Sequence, residues 1–197
     1  MRVKKFLNVG GGRKYVPLPA HFQGWEHVLL DIDPRGNPDI VFDARRLREL
    51  TSAEYDAVYC SHNLEHYYRH DVIKVLDGFL HVLKDSGFAH IRVPDIGAVM
   101  REVVRRNLDI EDVLYEAQAG PIVVRDVIYG FGAEIEVSGN DFYAHKTGFT
   151  QESLSLVLSN SGFPHAFVSQ APFEVVAFAF VTEPSAADAR ALNLSAR

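Results

Sequence analysis

Three consecutive glycines, Gly10-Gly11-Gly12, follow directly on the short apolar run Phe6-Leu7-Asn8-Val9, so a strand-like run ends abruptly where the backbone is freest. A buried parallel strand running into a turn that a ligand approaches closely has this form. Glycine removes the Cβ that would block the approach, and it tolerates positive φ. A second apolar run, Val28-Leu29-Leu30, ends in Asp31. The interval from Gly12 to Asp31 is close to the ~20 residues between a glycine turn and a ribose-binding carboxylate in nucleotide-binding α/β folds. Turn and carboxylate together predict a nucleoside-cofactor site. The alternative is a glycine-rich turn that merely joins two strands.

The expected cofactor carries no pyrophosphate. Gly10 and Gly12 satisfy G-x-G, but Tyr15 stands where a dinucleotide fingerprint has its third glycine. Pro17 and Pro19 break the segment in which a helix N-terminus should begin. A pyrophosphate needs that terminus and its free N–H groups. A cofactor with ribose hydroxyls and no phosphate, such as S-adenosylmethionine, does not.

Further along, strands are expected over residues 27–32, 39–42, 55–60 and 88–93, with a short helix near 45–50 and an amphipathic helix over 71–83. Strands alternating with helical or loop segments imply right-handed crossovers and a mostly parallel sheet, whose ligands bind beyond the carboxyl ends of the strands. Gly10-Gly11-Gly12, Asp31, Asp43, Ser61-His62 and Asp95 all fall at such ends. Helices are expected over 99–107 and 111–117, and Ala119-Gly120-Pro121 breaks them; residues 122–143 give no firm pattern. Residues 96–145 are expected to form a cap or substrate-binding insertion. Thr150 is placed as the N-cap of a helix through Ser161, with Gly162 as its stop. Strands follow over 166–170 and 175–181, and the tail from 184 to 197 is expected to fray.

The length fits one domain with a full core, here residues 1–183. A net charge of −6 argues against non-specific binding to nucleic acid or anionic membrane. Cys60 is the single cysteine, so there is no disulfide framework, and no apolar run approaches the ~20 residues of a membrane span. The expected compartment is the cytoplasm.

In this order the motifs resemble the class I S-adenosylmethionine-dependent methyltransferases, specifically the small type-11-like group. Phe6-Leu7-Asn8-Val9-Gly10-Gly11-Gly12 is similar to the first motif and Leu29-Leu30-Asp31-Ile32-Asp33 to the second strand. The segment at 39–43 is similar to the one beside adenine, and Ser61-His62-Asn63-Leu64-Glu65-His66 to the Glu-His that follows strand four. Val82-Leu83-Lys84-Asp85-Ser86-Gly87-Phe88 and His145-Lys146-Thr147-Gly148-Phe149-Thr150 resemble later signatures, the first with Asp85-Ser86 in place of Pro-Gly. The resemblance spans about residues 1–182. It implies a doubly wound α/β fold with a mostly parallel seven-stranded sheet and an antiparallel last strand, and a first helix shortened or absent. It also implies methyl transfer from S-adenosylmethionine to a small-molecule acceptor, with oxygen as the expected atom.

The expected cofactor contacts are Asn8, Val9, Gly10, Gly11, Gly12, Asp31, Ile32, Asp43, Ala44, Ser61 and His62. Asp31 can chelate two ribose hydroxyls, because an ionised carboxylate accepts two hydrogen bonds in suitable geometry. Asp33 reads better as a turn residue before Pro34, and Asp43 either flanks adenine or caps a helix. His62 and His145 are the candidate general bases, since neutral imidazole is available near pH 7. Each could instead be a hydrogen-bonded histidine supporting a loop, the role favoured for Glu65 and His66. His62-Asn63-Leu64-Glu65-His66 also matches H-x-x-E-H, the zinc pattern of inverted zincin peptidases, but that chemistry needs both histidines on one face of a long helix and a third ligand, whereas the predicted strand ends at Cys60, immediately before the motif. No metal site is expected. The rival from another class is a non-catalytic module that binds the cofactor only.

Overall fold

The computed structural model describes residues 2–117 and 120–194. Five strands, β1 (Lys5–Val9), β2 (Glu26–Asp31), β3 (Ile40–Val41), β4 (Tyr55–Ser61) and β5 (Leu83–Pro94), pair in parallel. A separate hairpin is made by β6 (Val113–Ala117) and β7 (Gly120–Val123). Then β8 (His165–Ala171) and β9 (Glu174–Phe180) complete a seven-stranded sheet of order β3-β2-β1-β4-β5-β9-β8. Only β9 opposes its neighbours, being antiparallel to both β5 and β8. The expected α/β sheet is therefore the one observed.

Burial on both faces explains the apolar strands. In β1, Leu7 and Val9 point to one face and Phe6 to the other, and β4 repeats this with Val58 and Cys60 against Ala57 and Tyr59. The first face is covered by α1 (Arg69–Val82), which buries Val72, Val75, Leu76, Phe79 and Val82. Each such side chain contributes roughly 1.5–3 kcal/mol of apolar transfer. A 3-10 segment, Ala44–Glu49, stands where a short helix was expected and sets Leu47 into the same core.

The second face has an aromatic cover. Only the 3-10 turn Ala20–Phe22 lies between β1 and β2, so the first helix is absent, as Pro17 and Pro19 foretold. Phe22 stacks on Phe6 with centroids 4.3 Å apart and meets Trp25 edge-on at 5.6 Å. Phe88, Phe178 and Phe180 continue the slab.

Three expectations are corrected. The expected helix over 111–117 is instead a turn followed by the strand β6 (Val113–Ala117), and the Arg106 guanidinium donates to the carbonyls of Leu114 (2.8 Å) and Val113 (3.1 Å) that a helix would use internally. The expected turn at Asp85-Ser86-Gly87 is a bulge inside β5, where the register jumps from Tyr55↔Leu83 to Ala57↔Phe88. The tail is ordered as far as it is described: helix 186–191 leads Leu192 and Leu194 onto the aromatic slab. The expected break at Ala119 lies outside the described residues.

Before the hairpin, α2 (Ile96–Arg106) is N-capped by buried Asp95, whose side chain accepts from Ala98 N at 3.0 Å. After it come α3 (Val124–Tyr129) and α4 (Gly132–Ser138). Val99, Leu114, Val124 and Val127 give this segment its own small core. Helix α5 (Gln151–Asn160) begins at Thr150, which forms a reciprocal capping box with Ser153. No helix among the described residues is long and apolar enough to cross a membrane.

Candidate functional site

A cleft of about 600 Å³ opens beyond the carboxyl ends of β1, β2 and β4. That size suits a small-molecule or cofactor pocket. Its floor is the glycine turn. Gly10 (φ +70°) and Gly12 (φ +66°) are in the left-handed region, and Gly10 N donates to Leu30 O at 2.8 Å. A Cβ on Gly10 would fall 2.1 Å from Asn63 Nδ2, whereas one on Gly12 would meet nothing within 4 Å. Asn63 thus lies against the turn at Gly10, and Gly12 borders open space.

Asp31 is buried at the end of β2. One carboxylate oxygen accepts from Gly12 N at 2.9 Å, the other from Asp33 N at 2.9 Å. Two backbone donors fix the carboxylate and leave one lone pair on each oxygen free for a ligand. Asp33 N-caps the 3-10 turn Pro34–Gly36 and binds Arg35 through Nε at 2.8 Å. The Arg35 guanidinium outweighs the modest effect of burial and holds the Asp33 carboxyl at about 2. Asp43 is the N-cap of 44–49 and is gripped by Arg45 at 2.5 Å. Burial opposes its ionisation, but Arg45 prevails and keeps the carboxyl below its usual range.

Of the residues expected at the site, Gly10, Gly12, Asp31, Ile32, Asp43 and His62 line the cleft. Asn8, Val9, Gly11, Ala44 and Ser61 do not. Val9 and Ala44 are in the helical-side core, and Asn8 turns to the other face, 3.2 Å from His27 Nε2. Sequence reasoning missed Arg35, Gly36, Asn63, Tyr67 and Tyr143, which do line it. Tyr143 donates to Asp33 and accepts from Arg35 at 2.7 Å, while Glu134 reaches Arg35 at 2.6 Å, so residues 134–143 supply one wall of the cleft. Only the spacing of Asn63 and Tyr67, four residues apart and joined by a 3.2 Å hydrogen bond, offered a local signal.

His62 sits at φ +49°, strained for a residue with a side chain. Its Nε2 is 2.6 Å from Glu174, itself paired with Arg92, and its Nδ1 is 3.6 Å from Glu65. Burial would lower the imidazole, but the two carboxylates reverse this and push it up to about 9. The turn Leu64–His66 is 3-10, so H-x-x-E-H is not displayed on one helix face and the peptidase geometry is absent.

His145 is outside the cleft lining but close behind it. Lys146 N and Thr147 N both donate to Glu65 O, at 2.8 and 3.2 Å, clipping the two histidine-bearing segments together. Glu65, His66 and His145 then present one ligating atom each, all within 4.8 Å of one another.

With this geometry established, comparison with solved structures defines the class of fold. An S-adenosylmethionine-dependent methyltransferase from Archaeoglobus fulgidus superposes with a TM-score of 0.57 at 16% identity, over 90% of this chain and 86% of that one. The PH0226 protein of Pyrococcus horikoshii OT3 gives 0.57 at 15%, over 91% and 82%. The 1,6-didemethyltoxoflavin-N1-methyltransferase of Burkholderia thailandensis, with its substrate and S-adenosylhomocysteine bound, gives 0.51 at 19%, over 90% and 71%. No family profile and no curated protein matches the sequence. The chain has the Rossmann-like methyltransferase fold; at this identity the likeness is one of fold, and chemistry is argued from the site.

Proposed function

We propose that the chain binds S-adenosylmethionine in this cleft and transfers its methyl group to a small-molecule acceptor, with oxygen as the expected atom. Within the fold we place it with the small type-11-like group, from the order of its motifs, and in the cytoplasm, which fits the buried free thiol of Cys60. The observation that carries the reading is the clamp between Asp31 and Gly12 N at 2.9 Å, which holds a carboxylate with free lone pairs over a side-chain-free turn. Asp31 would take the ribose hydroxyls, Gly12 would admit the cofactor close to the backbone while Gly10 makes room for Asn63, and Asp43 and Ile32 would flank its base. When bound, S-adenosylmethionine supplies an electrophilic methyl carbon on a sulfonium.

The residues of the chain supply alignment and exclusion of water, the main sources of rate in such a displacement. Between the two candidate histidines, both ring nitrogens of His62 face carboxylates, so that ring has no free lone pair and serves as a fixed donor. His145 Nδ1 is 2.9 Å from Val127 O and donates to it, which leaves Nε2 as the lone-pair nitrogen. His145 is therefore the better placed of the two to take a proton.

Calorimetric titration with S-adenosylhomocysteine tests the cofactor assignment. Wild type should bind, and Asp31→Asn, which keeps the shape and loses the charge-assisted bonds, should bind at least about tenfold more weakly. Equal affinity in a folded variant, verified by its melting curve, removes the ribose role from Asp31.

A further inference from the structure

The structure assigns to Glu65, His66 and His145 a binding site for one divalent transition-metal ion of the zinc or ferrous class, at the edge of the cleft. The starting observation is a fully buried carboxylate, Glu65, neither of whose oxygens has a hydrogen-bond partner. The His62 ring, 3.6 Å from Glu65 Oε1 through Nδ1, supplies an ion-pair partner beyond hydrogen-bond reach and is itself held by Glu174 at 2.6 Å. Leaving both oxygens of a buried carboxylate without a hydrogen bond is costly even beside an ion-pair partner, and calls for a missing water or ion.

The two histidines point to an ion. His66 Nδ1 lies 3.2 Å from Ala144 O and His145 Nδ1 2.9 Å from Val127 O. A carbonyl can only accept, so Nδ1 donates in each ring, and Nε2 of His145 is the nitrogen left for a ligand. Metal-bound histidines are oriented in this way, with the far N–H tied to a backbone carbonyl. His145 Nε2 is 4.0 Å from Glu65 Oε1, and the His66 and His145 rings are 4.8 Å apart, edge to face. Two acceptors, Glu65 and His145 Nε2, thus converge beside the His66 ring.

Zinc-to-ligand bonds of about 2.0–2.2 Å place neighbouring ligands roughly 3.3 Å apart. Ligating atoms within 4.8 Å reach that spacing by moving less than about 1 Å each. Two imidazoles and one carboxylate suit Zn²⁺, Fe²⁺ or Co²⁺ over Mg²⁺ or Ca²⁺. With three protein ligands, at least one position is left for an oxygen donor, and His66 itself lines the cleft. The set differs from H-x-x-E-H: His62 is excluded by its carboxylates, and the third ligand comes from a segment 79 residues beyond His66, as the interval between the two residue numbers gives.

The site does not depend on the cofactor reading and is tested without any cofactor; with the ion bound, His145 Nε2 is a ligand and no longer a proton acceptor. Untagged full-length protein, stripped with chelator, is titrated with Co²⁺ and then competed with Zn²⁺. One cobalt per chain, visible d–d bands and displacement by zinc are expected. Glu65→Gln and His145→Asn, each checked by circular dichroism, should weaken Co²⁺ binding at least about 100-fold. If either variant fails to fold, paramagnetic shifts of the His66 and His145 ring protons in cobalt-loaded wild type decide the matter. Absence of d–d bands in wild type, full affinity in both folded variants, or unshifted His66 and His145 resonances overturns the assignment.

Discussion

At the scale of single residues, the glycines divide by what surrounds them. Gly36 has an ordinary φ, yet a Cβ there would lie 1.8 Å from the Gly12 carbonyl oxygen, a backbone atom that cannot step aside. Gly12 has the reverse problem: its φ is +66°, but its Cβ would project into open space. Gly36→Ala is therefore expected to cost about 3 kcal/mol or more, as severe overpacking does. Gly12→Ala should cost only the left-handed penalty of about 1–2 kcal/mol, with a melting point lowered by roughly 2–8 °C in a domain of this size. Differential scanning calorimetry of the two variants checks the order, and a larger loss in Gly12→Ala would contradict it. The sequence showed the importance of Gly10-Gly11-Gly12 because a triplet after an apolar run is a local pattern. It could not show Gly36, whose constraint is the approach of another turn.

At the scale of elements, the parallel strands were readable because each contains a short apolar run closed by polar residues or glycine. Thr150 and Gly162 likewise marked the two ends of α5 by local chemistry. The 111–117 segment was not readable: its residues favour a helix, and the guanidinium of Arg106 takes up the carbonyls that would sustain one. Nor did any periodicity reveal that α4 and the turn Asp141–Tyr143 close over the cleft. They are held there by Tyr143, Asp33, Arg35 and Glu134, four polar groups drawn from three separate stretches. Tyr143→Phe removes the hydroxyl from the centre of this tie while preserving the ring. Hydrogen exchange over residues 132–143 should speed up several-fold in the variant, while amides of β4 and β5 keep their protection. Unchanged exchange over 132–143 would show that packing alone holds the wall.

At the scale of the whole molecule, the two faces of the sheet are built from different materials. One carries helices; the other is an aromatic slab in which His90 lies stacked on Phe178 at 4.3 Å, with Tyr59 and His21 each 5.1 Å away. The His90 ring is 5% exposed and its Nδ1 has no partner. Burial, reinforced by His21 and Arg92, holds its imidazole down at about 3. In the unfolded chain the same ring protonates near 6.5. Between those values the unfolded state binds a proton that the folded state refuses, so acidification favours unfolding; above about 6.5 both states are neutral and the effect vanishes. A full unit of such mismatch is worth about 1.4 kcal/mol, so this ring should remove roughly 1–2 kcal/mol of stability between pH 7 and pH 5. His90→Phe keeps an aromatic in the slab and eliminates both the titration and the orphan nitrogen. Urea midpoints at pH 7, 6 and 5 should fall more steeply in wild type than in the variant, with the residual slope left to His21, His27 and His66, which burial also lowers, opposed by the raised His62. Parallel slopes would mean that the ring takes up its proton without leaving the fold, and that the slab is open enough to hydrate it.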